Sequence, residues 1–259
     1  MIKYPRTPHL EGSNLQPGDG DLLRVQFGDI RGRFLTVEEK VDGSNSAISF
    51  GTDGEILLQS RGHYLDGGYG EKQFALMKQW ATSHKDTFYN ILGKRYIMYG
   101  EWLYAKHTVF YDALLHYFLE FDIFDREKNV FLDTDSRKRM LEGSPVVSVP
   151  VIGTGIFNSE KELLSLLGRS NYVTDDPKKS LEDVCEKAGL DFSRVLSETD
   201  VSGKMEGVYI KVEEGGKVAA RLKYVRKEFS QSVENADMHW VKRPIVMNRL
   251  SVPLEKLFE

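Results

Sequence analysis

The sequence predicts an α+β fold of mainly antiparallel sheets with flanking helices, and two observations carry that reading. Strand-like segments come as adjacent pairs joined by short turns, at residues 47–59 and again at 205–225. Helical segments with clear start and stop signals fall between these pairs. They do not alternate singly with strands, which argues against a doubly wound parallel sheet. The 259 residues and an ordinary apolar fraction of 41% are enough for a sizeable core in one large domain or two small ones.

In chain order, residues 4–20 are rich in Pro, Gly, Asn and His and read as an extended lead-in. Residues 33–37 form a short strand running into a turn that holds Lys40. Residues 47–50 and 55–59 read as a hairpin across Gly51-Thr52-Asp53-Gly54. Phe74, Met77, Ala81, His84, Phe88 and Ile91 recur at helical spacing and predict one helix over 71–92, stopped by Gly93. Residues 96–105 and 117–125 are aromatic, strand-like runs. A short helix at 136–142 ends at Gly143, and 146–150 reads as another strand. Ser159-Glu160-Lys161-Glu162 is a capping box opening a helix that stops at Gly168. Asp176-Pro177 opens another, with Gly189 as its stop. Residues 205–213 and 217–225 form the last hairpin, across Glu214-Gly215-Gly216. The region 150–201 carries no functional signal.

Composition narrows the class. The single cysteine, Cys185, excludes a disulfide framework and a cysteine metal site. The N-terminus has no apolar signal region and no run long enough to span a membrane, so the chain reads as soluble, intracellular and cytoplasmic. A net charge of −4 argues against a bulk nucleic-acid coat and leaves room for a local basic groove. Basic residues cluster at 217–227 and at Lys242-Arg243; acidic residues cluster at 182–186 and 198–200. His9, His63, His84, His107, His116 and His239 have no close ligand spacing, which favours surface or core roles.

Chemistry concentrates around Glu38-Glu39-Lys40-Val41-Asp42-Gly43-Ser44-Asn45-Ser46. Taken alone this is an Asp-Gly turn. A lysine on a tight polar turn at a strand end is also placed to reach into a cleft. Alternation puts Ile97, Tyr99 and Glu101 on one strand face, and Glu206, Val208 and Ile210 on another. Arg221 and Lys223 share a face of the partner strand. Taken singly, Glu101 also reads as a solvated strand-end carboxylate, and Arg221 and Lys223 as charges protecting an edge strand.

Order along the chain adds weight. Lys-x-Asp-Gly is followed by Arg61 at a hairpin end, Gly100-Glu101 on a strand and Phe121-Asp122-Ile123. Then come Glu-Gly-Val-Tyr-Ile-Lys at 206–211 and Arg-Leu-Lys at 221–223. This series resembles the collinear motifs of the covalent nucleotidyltransferases, the superfamily of ATP-dependent ligases and mRNA capping enzymes. Lys-Val-Asp-Gly-Ser-Asn is most similar to the RNA ligase branch, of the bacteriophage RNA ligase 2 type. The resemblance runs from about Glu38 to Phe229.

The resemblance implies an ATP-grasp-like nucleotidyltransferase domain, expected to span 1–259 with a short lead-in. Ligases of this type usually carry a C-terminal domain as well, and the little chain after Phe229 departs from that pattern, so no separate C-terminal domain is expected. It implies that Lys40 attacks the α-phosphorus of ATP to form lysyl-AMP, before AMP passes to an RNA 5′-phosphate and that end is sealed to a 3′-hydroxyl. A free lysine has a pKa of about 10.4, so a neutral amine at pH 7 costs roughly 4–5 kcal/mol. Arg221, Lys223 and a metal are expected to lower that cost and to stabilise the phosphates. Glu39 is expected to read the adenine edge, Phe121 to stack on the base, and Arg61 and Glu101 to contact the nucleotide. Asn45 is expected to act in later steps, Asp42 to orient the turn, and Glu206 to hold Mg²⁺ or Mn²⁺.

The last motif often reads Lys-x-Lys; Arg221 keeps the charge but cannot lose a proton. Lys211 is expected to face away from Glu206. The alternatives are a DNA ligase, a GTP-using capping enzyme, or a non-catalytic nucleotide- or RNA-binding module.

Overall fold

The structure, a computed structural model, describes residues 1–15, 18–68, 70–229 and 244–259. Lys242, Arg243 and His239 lie outside these residues. The lead-in carries two short strands, β1 (His9–Leu10) and β2 (Arg24–Val25). β3 (Leu35–Lys40) and β4 (Ser44–Phe50) are joined by Val41-Asp42-Gly43, and β5 (Ile56–Ser60) closes the first hairpin. Helices α1 (Ala75–Ser83) and α2 (Lys85–Leu92) lead to β6 (Tyr96–Trp102), β7 (Phe118–Asp125) and β8 (Val130–Phe131). Then follow α3 (Thr134–Leu141), β9 (Val147–Ser148), β10 (Val151–Gly155), α4 (Glu160–Leu164), α5 (Pro177–Ala188) and α6 (Phe192–Ser197). The last hairpin is β11 (Gly207–Glu214) and β12 (Lys217–Val225).

The strands make two sheets. One runs β10-β3-β11-β12-β1-β2; the other runs β5-β4-β6-β7-β8, with β9 beside β7. Pairing is antiparallel except for β1 with β12, β1 with β2, and β7 with β9. β3 belongs to the first sheet and β4 to the second, so Val41-Asp42-Gly43 is where the chain crosses between them. The α+β architecture expected from sequence is the one observed.

Local differences have local causes. β3 extends to Lys40, so the lysine is the last residue of a strand rather than part of the turn. It is kept there by pairing with Gly207 on β11. The expected helix over 71–92 is a 3-10 turn at Lys72–Phe74 followed by α1 and α2, broken at His84 (φ −102°, ψ 16°). Ser83 Oγ donates to the Trp80 carbonyl there, in competition with the helix ladder. The expected strand over 146–150 is only the two-residue β9, and β10 begins past it, at Val151, in the other sheet. The Ser159 helix stops at Leu164, not Gly168. The Asp176 cap, Pro177 at the first turn and left-handed Gly189 (φ 64°) stand as expected.

Two apolar cores flank the sheets. The larger lies against the second sheet and α1–α2 and holds Trp80, Phe88, Trp102 and Phe118, all fully buried. The smaller, on the first sheet, holds Leu35, Val37, Val208, Ile210 and Val212. Cys185 is buried in a third cluster under α5 and α6. Among the described residues, no helix is long and apolar enough to cross a membrane.

Candidate active site

A cavity of about 600 Å³ opens between the two sheets. The first sheet supplies Lys40, Tyr209 and Lys223; the second supplies Ser44, Asn45 and Glu101. Arg61, past the end of β5, and Glu206, just ahead of β11, also line it. These residues come from across the chain because strand registers align them. Gly207 pairs with Lys40 on one side and Val225 on the other, while Asn45 pairs with Glu101. A Cβ on Gly207 would stand 1.9 Å from the Tyr224 carbonyl oxygen, so only glycine lets β11 and β12 close beside the lysine.

Lys40 Nζ donates to Glu206 Oε2 at 2.7 Å and lies 5.7 Å from the centre of the Tyr209 ring. Burial pulls its pKa down, but Glu206, Tyr209 and Glu101 outweigh burial and hold it above the ordinary lysine value. This reverses the expectation that neighbouring cations depress it: the nearest partner is a carboxylate. The carboxylates feel the converse strain. Burial pushes Glu206 up to about 7, with Asp42 adding and Lys40 opposing. Burial likewise pushes Glu101 up to about 8, with Lys40 opposing and Glu206 and Asp42 adding.

Asp42 fixes the crossing turn. Its Oδ2 accepts from the Thr108 and Val109 amides at 2.7 and 2.9 Å, and its own amide donates to Tyr111 Oη at 2.7 Å. These bonds anchor the turn that follows Lys40. A Cβ on Gly43 would meet Leu103 Cδ2 at 2.6 Å and the Trp102 carbonyl at 2.7 Å, so the turn needs glycine for space. His107 Nδ1 lies 3.9 Å from Asp42 Oδ1, and its Nε2 is 3.2 Å from Ser44 Oγ.

Three predicted residues do not put their side chains on the cavity wall. Glu39 alternates with Lys40, so it emerges on the opposite sheet face. There it is buried and accepts from Asn171 N and Nδ2 at 3.0 and 2.7 Å and from Ser170 Oγ. Phe121 is the extra residue of a bulge in β7, where Tyr99 pairs with Asp122 and Gly100 with Glu120. Its ring stacks on Tyr209 (centroids 6.2 Å, planes 20°) and meets the Tyr4 edge at 5.1 Å, so Tyr209 stands at the wall in its place. Arg221 lies 3.8 Å over the Phe131 ring and 5.0 Å over Tyr4, and reaches Asp122 Oδ2 at 3.5 Å. Desolvated aromatic faces and a buried carboxylate hold it away from the cavity.

Lys211 is buried on the Tyr209 side of β11, not turned away from the site. It pairs with Glu38 at 2.8 Å and Asp122 at 3.1 Å. Tyr4, Thr7 and Asp19 of the lead-in and Tyr209 of β11 line the cavity without having been singled out from the sequence. Alternation from Lys211, directly across from Arg221, could have placed Tyr209 beside Lys223. Nothing periodic marks the lead-in residues.

Among the described residues, no three carboxylate, imidazole or thiolate side chains converge closely enough to hold a metal ion unaided. Glu206 and Glu101 offer hard oxygen donors whose pKa values are raised chiefly by burial, and a divalent cation beside them would favour their ionised forms. Such a donor set suits a cation that takes its remaining ligands from phosphate and water, as Mg²⁺ does.

A family model described as RNA ligase matches residues 33–225. The chain belongs to the RNA ligase family. No curated protein sequence matches the chain. Among solved structures it is similar to those of a Naegleria gruberi RNA ligase. One mutant of that ligase, with ATP and Mn, aligns at 16% identity and TM-score 0.53 over 87% of this chain and 56% of that one. Another, with AMP and Mn, aligns at 17% and 0.53 over 86% and 56%. A third, an apo mutant, aligns at 17% and 0.50 over 76% and 50%. The chain spans about half the length of these solved relatives, and at this identity the likeness is one of RNA ligase fold.

Proposed function

We propose that this chain is an ATP-dependent RNA ligase acting through Lys40, with the 1–259 domain carrying out adenylylation and working in the cytoplasm. The observation that supports it most is the Lys40–Glu206 contact at the floor of a cavity large enough for a nucleotide. In the first step Lys40 Nζ attacks the α-phosphorus of ATP. A P–N bond forms, the bond to the bridging oxygen breaks, pyrophosphate leaves, and the amine gives up its proton. AMP then passes to an RNA 5′-phosphate, and a 3′-hydroxyl displaces it to seal the strand.

The chain's own residues account for most of what this requires. Strand pairing and the Asp42 turn hold Lys40 at the inter-sheet crossing. Glu206 keeps the ammonium in place until the nucleotide arrives. Lys223 is the cation on the cavity wall for the phosphates, and Arg61, Glu101 and Asn45 face the nucleotide. Glu206, with Glu101, would hold Mg²⁺ or Mn²⁺. The ion would supply positive charge against the phosphates, and a Glu206 engaged with it would no longer hold the Lys40 ammonium, making a neutral amine less costly. Phe121 would act on the base only through a rearrangement of Tyr209 and Tyr4, Glu39 only through its backbone, and Arg221 through Asp122 and Tyr4.

Incubation with α-labelled ATP and Mg²⁺ should label the chain covalently, and Lys40→Ala should abolish the label. GTP in place of ATP, and DNA in place of RNA 5′-phosphate ends, separate the capping and DNA-sealing alternatives. A native chain, free of bound AMP, that takes no label would overturn the proposal.

A further inference from the structure

The lead-in enters the cavity from outside the span that the family model matches, 33–225. β1 pairs parallel with β12, and its His9 stands in register with Lys223. Lys223 Nζ donates to Asp19 Oδ2 at 2.6 Å. The same oxygen lies 2.9 Å from His9 Nε2, and Arg6 reaches Asp19 Oδ1 at 3.7 Å. His9 Nδ1 is 2.6 Å from Ser13 Oγ, which in turn accepts from the Val225 amide at 2.9 Å. His9 is fully buried, and Asp19 and Lys223 are nearly so. A continuous polar chain thus runs from the β12 backbone through Ser13, His9 and Asp19 to the Lys223 ammonium.

The charges in the cavity give this chain a purpose. Lys40 and Lys223 both face it, as do Glu206 and Glu101. A lysine stem is flexible, and an ammonium without a fixed partner turns to the nearest carboxylate. Asp19 takes Lys223, leaving Glu206 to Lys40 alone. A cation held at the wall before the nucleotide arrives needs no reorganisation when charge builds on the phosphates.

We infer that Asp19, itself held by His9, is a positioning residue that fixes Lys223 on the phosphate side of the cavity for lysyl-AMP formation. The inference rests on the adenylylation reading proposed above. The lead-in is then a working wall of the site, built from a segment that precedes the family's matched region.

The test is single-turnover labelling of the full chain with α-labelled ATP and Mg²⁺. Asp19→Asn should slow labelling at saturating ATP by about ten-fold or more without raising the half-saturating ATP concentration, since the carboxylate competes with phosphate for Lys223. Asp19→Glu should recover to within about three-fold of the native rate. On a Lys223→Ala background, Asp19→Asn should have no further effect, because positioning acts only through that ammonium. If Asp19→Asn does not fold, as judged by its thermal midpoint, His9→Asn is read in the same cycle and should show a smaller loss of the same pattern. An Asp19→Asn rate equal to the native one overturns the inference, as does a loss that carries over in full onto Lys223→Ala. A native chain that takes no label overturns the ligase reading and this inference with it.

Discussion

Lys40 and Glu206 are 166 residues apart in the chain and 2.7 Å apart at Nζ and Oε2. The pair forms because β3 and β11 are neighbours, with Gly207 opposite Lys40. An ammonium in this grip is a poor nucleophile, so the contact stores the lysine in its unreactive form.

Replacing Glu206 by Gln should therefore split two reactivities. Without the carboxylate, burial acts against a weaker opposition, and the Lys40 pKa falls. Acylation of Lys40 by a small amine-directed reagent at pH 8, followed by peptide mass spectrometry, should speed up by about ten-fold. Lysyl-AMP formation should slow by at least about ten-fold, because the carboxylate proposed to hold the metal is gone. Acylation no faster than in the native chain would show that Glu206 does not control the amine.

Glu101 gives a pH signature. Its ordinary pKa is 4.5 and the fold raises it to about 8, chiefly by burial. A raised carboxyl favours the protonated form in the folded state, so a stability cost appears as pH climbs above 4.5 and is complete above about 8. Glu101→Gln removes that cost. The variant should match the native chain near pH 4.5 and exceed it progressively towards pH 8.5. Glu101 is partly exposed on the cavity wall, and solvent screening limits the gain to about 1–2 kcal/mol, roughly 2–8 °C in thermal midpoint for a chain of this size. Melting curves without nucleotide at several pH values decide it; a difference independent of pH would count against burial of the carboxyl as the cause.

The elements that could be read from sequence are those with a local signal. The two hairpins, the Asp176-Pro177…Gly189 helix and the aromatic strands β6 and β7 follow from turn chemistry, caps and strand propensity, which act within a few residues. The motif order likewise brought Lys40, Asn45, Arg61, Glu101, Glu206 and Lys223 to one cavity. What sequence misplaced depends on which sheet face a side chain takes and on what competes for it. Glu39 is one residue from Lys40 and therefore on the other face. Arg221 is two residues from Lys223 and shares its face, yet Asp122, Tyr4 and Phe131 capture it. Tyr4 and Asp19 reach the site through β1–β12 pairing, a long-range contact that no local pattern encodes.

The same long-range logic built a buried ionic chain beneath the site, and its cation on α3 is the next to test. Arg137 on α3 is 2% exposed. One guanidinium nitrogen reaches Glu120 at 2.7 Å and another reaches Glu38, which shares β3 with Lys40 and also meets Lys211 at 2.8 Å. Lys211 continues the chain to Asp122, which holds Arg221 and accepts from Tyr4 Oη at 2.6 Å. Removing this buried cation strands Glu120 without one and leaves Glu38 to Lys211 alone, which costs about 3–5 kcal/mol. Arg137→Met should thus lower unfolding free energy by that amount in urea at pH 7. Adding Glu120→Gln should restore part of it, since the stranded charge is then gone. Because the chain is buried, raising ionic strength to about 0.5 M should leave the loss essentially unchanged, unlike that of a surface pair. A loss below about 1 kcal/mol, or one that vanishes in salt, would mean that solvent reaches Arg137 and that the chain does not brace β3 under Lys40.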